Sequence, residues 1–147
     1  MERTNRIKVE MLSRSENEAI ARNIAAVFIT PLDPTMEEMT EIKTAVSEAV
    51  SNVILHAYKG EQEGPIYLEM ETTESGKVTI TVEDRGVGID DVQKAMEPLF
   101  TTGDSRERSG MGFTVMESFM DKVLVDSSPG KGTKVTLIKS LDRVYGF

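Results

Sequence analysis

From Lys77 to Asp84 apolar and polar residues alternate, with Val78, Ile80 and Val82 interleaved by Thr79, Thr81 and Glu83. This period-2 pattern describes a strand with one buried face. The strand ends in a carboxylate, Asp84, and the chain turns at once through Arg85-Gly86-Val87-Gly88. Glycine admits positive φ and lets a flat or charged ligand approach the backbone closely. Asp84 is placed to accept a hydrogen bond from an exocyclic amine such as that of adenine. Taken alone, D-x-G-x-G is equally ordinary turn chemistry, so the rest of the chain has to decide.

Upstream, Asp33-Pro34 opens a predicted helix, with Asp33 as N-cap and Pro34 at the first helical position. Met36, Met39, Ile42, Val46, Ala49, Val50, Val53 and Ala57 recur at helical spacing, and the helix is predicted to span Pro34–Tyr58 with Gly60 as its stop. Glu48, Asn52 and His56 fall at i, i+4 and i+8, with neighbouring Cβ atoms roughly 6 Å apart. This row borders the apolar stripe, so it is expected to line a cavity. A carboxylate there can take a proton from an attacking hydroxyl or water, and an amide oxygen can ligate a hard cation such as Mg²⁺. The alternative is a pair of solvated helix residues. His56 reads as a packing histidine near a helix end, because neutral imidazole is a poor Mg²⁺ ligand.

Two further segments carry glycine at telling places. Ser109-Gly110-Met111-Gly112-Phe113 precedes a short helical stripe of Phe113, Met116, Phe119 and Met120, after an aperiodic stretch PLFTTGDSRER. Glycines at a helix start leave backbone N–H groups and the positive end of the dipole at one point, which suits phosphate oxygens, and Arg106 and Arg108 add cations. A flexible N-cap is the plainer reading. Lys131-Gly132-Thr133 lies between predicted strands Lys122–Asp126 and Thr133–Lys139, and by itself is hairpin chemistry.

In their order, Glu48…Asn52 on a helix, Asp84-x-Gly86-x-Gly88 after a strand, Ser109-Gly110-x-Gly112 opening a helix and Gly132-Thr133 between strands resemble the N, G1, G2 and G-T boxes of the GHKL (Bergerat-fold) ATPases. The segments RSENEAIAR, SEAVSNVILHAYKG, EDRGVGI and PLFTTGDSRERSGMGFTVM are similar to the anti-sigma F factors of sporulation, which are serine-protein kinases. The resemblance covers almost the whole chain and is weakest after about Ser140. It implies that Asn52 ligates Mg²⁺ bridging the phosphates of ATP or ADP, and that Glu48 is the general base for a serine hydroxyl. It implies that Asp84 reads the adenine amine, partly through a water shared with Thr133. Gly86 and Gly88 would admit the base. Gly110, Met111, Gly112 and Phe113 would present N–H groups to the phosphates, and Thr101, Thr102 and Arg108 would belong to a lid. Ser109 departs from the glycine that many relatives carry, but keeps a hydroxyl donor. Such an inventory suffices for phosphoryl transfer, which rests on positioning and charge neutralisation.

The implied partners are a sigma factor of the sporulation sigma F type and an anti-anti-sigma factor as phosphorylation substrate. A homodimer is also expected. Partner contacts are placed near the start of the chain, where Arg14, Glu18 and Arg22 are expected to share an exposed stripe; Arg22 is the one chosen. A second reading is a nucleotide-dependent binding switch whose catalysis is vestigial. A sensor histidine kinase is disfavoured, because the only histidine is His56, inside the nucleotide helix.

Composition agrees. The 147 residues are expected to form one domain, 1–147, with the tail after about 140 least supported. A net charge of −8 disfavours a nucleic-acid surface and suits a basic protein partner, as it equally suits an ordinary solvated surface. The absence of cysteine is compatible with a reducing compartment, and no signal peptide or membrane-spanning run is read, so a cytoplasmic protein is expected. The predicted order is strand (6–12), helix (16–29), helix (34–58), hairpin (66–72 and 77–84), short helix (90–96), lid, helix (112–120) and a final strand pair. Ser13-x-x-Glu16 and Ser15-x-x-Glu18 are capping-box candidates for the first helix. The fold class is an α/β (α+β) two-layer sandwich, with helices on one face of a mixed, mostly antiparallel sheet. The other face is expected to be covered as well, and the first strand is a candidate dimerisation edge.

Overall fold

A computed structural model describes residues 2–58, 63–97 and 112–142. Strands β1 (Thr4–Leu12), β2 (Pro65–Thr73), β3 (Lys77–Asp84), β4 (Lys122–Ser127) and β5 (Thr133–Ser140) form one sheet in the order β1-β2-β3-β5-β4. Every described pairing is antiparallel, so the sheet is antiparallel as mostly expected, without a parallel pair among the described strands that would make it mixed.

The register aligns the alternating residues into rows across the sheet. One row runs Ile7, Met70, Ile80, Leu137, Val123; the next runs Val9, Leu68, Val82, Val135, Val125. Members on the three central strands are at most 6% exposed. Helices α1 (Glu16–Ile29) and α2 (Met36–Asn52) cover this face, α1 with Ala21, Ala25 and Ile29, and α2 with Ile42, Ala45, Val46, Ala49 and Val50. Alanines at i and i+4 of α1, Ala21 and Ala25, let the two helices approach closely, and Ile29 one turn on fills the core. Short helix α3 (Val92–Ala95) and helix α4 (Gly112–Phe119) complete the layer, α4 burying Phe113 and Met116 against α2.

The opposite face carries Tyr67, Glu69 and Glu71 on β2 and Thr79, Thr81 and Glu83 on β3, all half-exposed. No described element covers it. Among the described residues the expected second cover is not seen: polar side chains alternate there, and an antiparallel sheet tolerates one wet face.

Helix ends differ from expectation in instructive ways. α1 has the expected limits, but Ser15 makes no side-chain cap and Ser13 Oγ instead accepts from the Gly64 N–H at 3.1 Å. α2 is capped by Thr35 rather than Asp33. The Glu38 N–H donates to Thr35 Oγ1 at 3.0 Å and the Thr35 N–H to Glu38 Oε1 at 2.9 Å, a reciprocal box satisfying two donors where Asp33 would satisfy one. Asp33 instead turns the chain at φ 53° after a 3₁₀ turn over Thr30–Leu32. At its other end α2 stops at Asn52 and continues as a π-helical turn, Val53–Ala57, rather than as α-helix to Tyr58. That turn breaks the 100° repeat which put His56 on one row with Glu48 and Asn52. Among the described residues no helix is long and apolar enough to cross a membrane.

Thr35→Ala is expected to lower unfolding free energy by about 1 kcal/mol in urea titration, the usual value of a lost cap. Ser15→Ala is expected to change it by less than about 0.5 kcal/mol. Equal losses in the two variants would refute the cap assignment.

Candidate nucleotide site

The register that builds the apolar rows places Met11 opposite Ile66 and Ile66 opposite Asp84. Asp84 thus sits where a third row of the core would continue, and is only 4% exposed. Its Oδ1 accepts the Gly86 N–H at 2.8 Å and the Thr133 N–H at 3.3 Å. Burial pushes the carboxyl above its ordinary pKa, and these two backbone donors pull it part of the way back. No described residue donates to Oδ2, which is the acceptor available to a ligand.

The two glycine turns pack on this carboxylate. A Cβ on Gly86 would collide with the Ala57 carbonyl, at the end of the π turn, and that carbonyl accepts the Val87 N–H at 2.9 Å. Gly88 has φ 76°, turning the chain beneath Ser128. Gly132 lies against the Asp84 carbonyl. Ser127, which sequence reading passed over, joins the turns: its Oγ accepts the Ile89 N–H at 2.8 Å and stands 3.0 Å from Gly132 O and 2.8 Å from Thr133 Oγ1. Its signal is weak, a serine closing a strand before a turn. Tyr58 was also missed, and its hydroxyl reaches both Arg85 and Pro65.

A second cluster forms where α4 begins. A methyl group added to Gly112 would lie 3.3 Å from Glu48 Oε2 and 3.3 Å from both amide atoms of Asn52. Two helices therefore bring a carboxylate, a carboxamide and the backbone of Gly112 together, and Glu48 is buried at 9% exposure. Phe113 places its ring in the core. Among the described residues no group of three His, Cys, Asp or Glu is arranged to hold a metal. A cation here would have few protein ligands, which fits Mg²⁺, an ion that keeps waters and phosphate oxygens in its shell.

Asp84, Gly86, Gly88 and Thr133 are thus brought together, and so are Glu48, Asn52 and Gly112; the π turn and Ala57 link the two groups. Thr101, Thr102, Arg108, Ser109, Gly110 and Met111 lie outside the described residues. Arg22 is not on a freely exposed stripe. Its guanidinium is 3.0 Å from Glu18 Oε2 and 3.4 Å from Ser47 Oγ, and Ser47 Oγ donates to Glu18 at 2.7 Å. Glu18 and Arg22 are half-buried because Ser47, beside Glu48 on α2, draws them in; Arg14 is exposed and paired with Glu63.

Residues 12–139 match the histidine kinase-like ATPase domain, the class that this fold and site define. The chain is 51% identical over 140 residues to the anti-sigma F factor of Clostridium beijerinckii, covering 95% of this chain and 97% of that one. It is 51% identical over 139 residues to the anti-sigma F factor of Bacillus subtilis, covering 95% and 94%. The chain belongs to the anti-sigma F factor family. Among solved structures, the RsbU and RsbW domains of Rv1364c from Mycobacterium tuberculosis superpose with a TM-score of 0.68 at 18% identity over 97% of this chain, which spans 34% of theirs. The mycobacterial sensor histidine kinase MprB gives 0.59 at 15% identity, covering 94% of this chain and all of that one. These two show the shared fold. An adenine nucleotide is the ligand that an ATPase domain implies.

Because Asp84 has a raised pKa, the folded state holds its proton more tightly than the unfolded chain. Ionisation therefore works against folding; the penalty grows as pH rises from the unfolded to the folded pKa and is complete above both. Asp84→Asn is expected to melt higher than the parent at pH 7 without nucleotide, with the gap closing as pH falls through the ordinary aspartate pKa of about 3.9. A gap that widened on acidification would refute this account.

Proposed function

We propose that this protein is an Mg·ATP-dependent protein-serine kinase that binds and inhibits a sporulation sigma factor of the sigma F type. Its substrate is a serine of the anti-anti-sigma factor that opposes this inhibition. The convergence of Glu48, Asn52 and Gly112 is the observation that carries the reading. The name shared by its relatives supports the sigma factor as partner. The acidic balance of the chain suits a basic surface on that partner.

Asp84 would accept a hydrogen bond from the adenine amine, with Thr133 beside it and Gly86 and Gly88 giving the base room. Asn52, through its amide oxygen, would hold the Mg²⁺. Bound there, the ion would neutralise charge on the phosphate oxygens. Glu48 would accept the serine proton as the hydroxyl oxygen bonds to the γ-phosphorus and the bond to the ADP oxygen breaks. The Gly112 backbone, at the N-terminus of α4, would face the phosphates alongside Gly110, Met111, Phe113 and the Ser109 hydroxyl, while Thr101, Thr102 and Arg108 would close over the nucleotide. Arg22, held by Glu18 and Ser47 one residue from the base, would meet the partner. β1, an edge strand paired only with β2 among the described strands, would join two copies into a homodimer, which sedimentation checks. Such a protein would act in the cytoplasm, where sigma factors work.

With labelled Mg·ATP and the anti-anti-sigma protein, acid-stable phosphoserine is expected on the partner. Glu48→Gln should lower the transfer rate about 10²- to 10⁴-fold while calorimetry still records ATP binding. Full transfer by that variant would remove Glu48 as base, and ATP binding without transfer by the parent would leave a nucleotide-dependent switch. Asp84→Asn should weaken ATP binding by about 1–3 kcal/mol, the range for mismatching one charged hydrogen bond. Arg22→Glu should lower partner affinity with ATP affinity unchanged; equal partner affinity would exclude Arg22 from the contact.

A further inference from the structure

β2 and β3 pair in a register whose last rung sets Ile66 opposite Asp84. One step further, the opposed residues are Pro65 and Arg85. A direct bond between the Arg85 N–H and the Pro65 carbonyl would continue the ladder at about 2.9 Å. The phenol oxygen of Tyr58 stands between them instead. The Arg85 N–H donates to Tyr58 Oη at 2.7 Å, and that hydroxyl donates to Pro65 O at 2.6 Å. The rung is still hydrogen-bonded, but through an inserted atom, so the two strands are spread one residue after Asp84.

Neighbouring contacts make this opening directional. Pro65 remains paired with Leu12 of β1, so β2 holds its course and β3 is the strand that leaves. Arg85 is fixed from both ends, its backbone by Tyr58 and its guanidinium above the Tyr67 ring at 5.1 Å from the centroid. The Tyr58 ring occupies the space that any side chain on Gly64 would need, which limits its motion. Just before Tyr58, the π turn delivers the Ala57 carbonyl to the Val87 N–H. Three residues of the turn after Asp84 therefore contact one short segment, 57–58.

We propose that Tyr58 is a positioning residue for the nucleotide: its hydroxyl, by occupying the Pro65–Arg85 rung, opens the ladder after Asp84 and sets the direction in which that carboxylate and the glycine turn meet the base. The inference rests on the reading of Asp84 as the acceptor for an adenine amine. Guanine carries a carbonyl oxygen at the corresponding ring position, which a fixed carboxylate repels. A turn held in place therefore prefers ATP to GTP, and a slackened one loses that preference.

Tyr58→Phe keeps the ring and removes both hydrogen bonds. In the nucleotide-free variant, hydrogen exchange should speed at the Arg85 amide about tenfold, with Val78–Val82 protected as in the parent, which shows the fold intact. ATP affinity should fall about tenfold and GTP affinity less than twofold, so that the ATP:GTP ratio collapses. Tyr67→Phe, which keeps the ring under Arg85, should leave both readouts unchanged. Tyr58→Phe with the parent's ATP:GTP ratio would overturn the inference, whether or not Arg85 exchange speeds, since a merely structural hydroxyl weakens both nucleotides alike. A parent protein that binds ATP and GTP equally would instead overturn the adenine reading of Asp84. The two failures are distinguished by whether the parent discriminates.

Discussion

A carboxylate in a core row is the interaction on which the arrangement of this protein depends. Every other position facing the helices along β3 is Val or Ile, and Asp84 ends that series with a group that water would stabilise far better. It is retained there because the chain aims two backbone N–H groups at one of its oxygens. Those donors belong to Gly86 and Thr133, on turns about fifty residues apart in sequence. Bringing both turns to one oxygen requires close backbone contacts, Gly86 on Ala57, Gly88 on Ser128 and Gly132 on Asp84 itself, and each would clash with a Cβ. The raised pKa of Asp84 records that the compensation is incomplete, which is the state expected of an acceptor kept for a ligand.

Helix α2 couples this end of the site to the other. Glu48 and Asn52 lie in its last two turns, and the π turn that follows carries the Ala57 carbonyl to Val87. α2 is anchored independently of any ligand. Its start is held by the Thr35–Glu38 box, and Glu38 also accepts the Asp142 N–H after β5. Farther along, Glu41 pairs at 3.2 Å with Lys139, whose ammonium also caps the Phe119 carbonyl at the end of α4. One helix is thereby fixed to the sheet and to the element bearing Gly112, so the distances among Glu48, Asn52 and Gly112 are properties of the fold rather than of a loop.

What could be read from the sequence and what could not divides along a physical line. Period-2 alternation in β3 is a local pattern, and the strand has the limits that its periodicity sets; α1 likewise spans the expected Glu16–Ile29. Glycines after Asp84 and before Thr133 were legible because turn chemistry is also local. Competition between caps was not: Asp33 and Thr35 are both good cap residues for α2, and the choice of Thr35 turns on Glu38 reaching back across one turn. The π turn and the Tyr58 hydroxyl depend on residues 58, 65 and 85 meeting in space, for which no spacing rule exists. The exposure expected of Arg22 was misjudged for a similar reason, since the residue that draws it inward is Ser47 on another helix.

In the proposed reading, Glu48 is the residue that distinguishes a kinase from a passive nucleotide switch. Ligating a cation and binding phosphates asks for Asn52 and backbone N–H groups, which are neutral and inexpensive to bury when hydrogen-bonded. A carboxylate at 9% exposure is different: withdrawing it from water carries a penalty that its partners must offset. A glutamine of the same shape would avoid that penalty and still pack against Gly112. Retaining an acid there makes physical sense if a proton must be accepted beside the phosphates during reaction. The location of Glu48, one residue from the Ser47–Glu18–Arg22 network, would also bring it near a partner seated on α1 in the proposed reading.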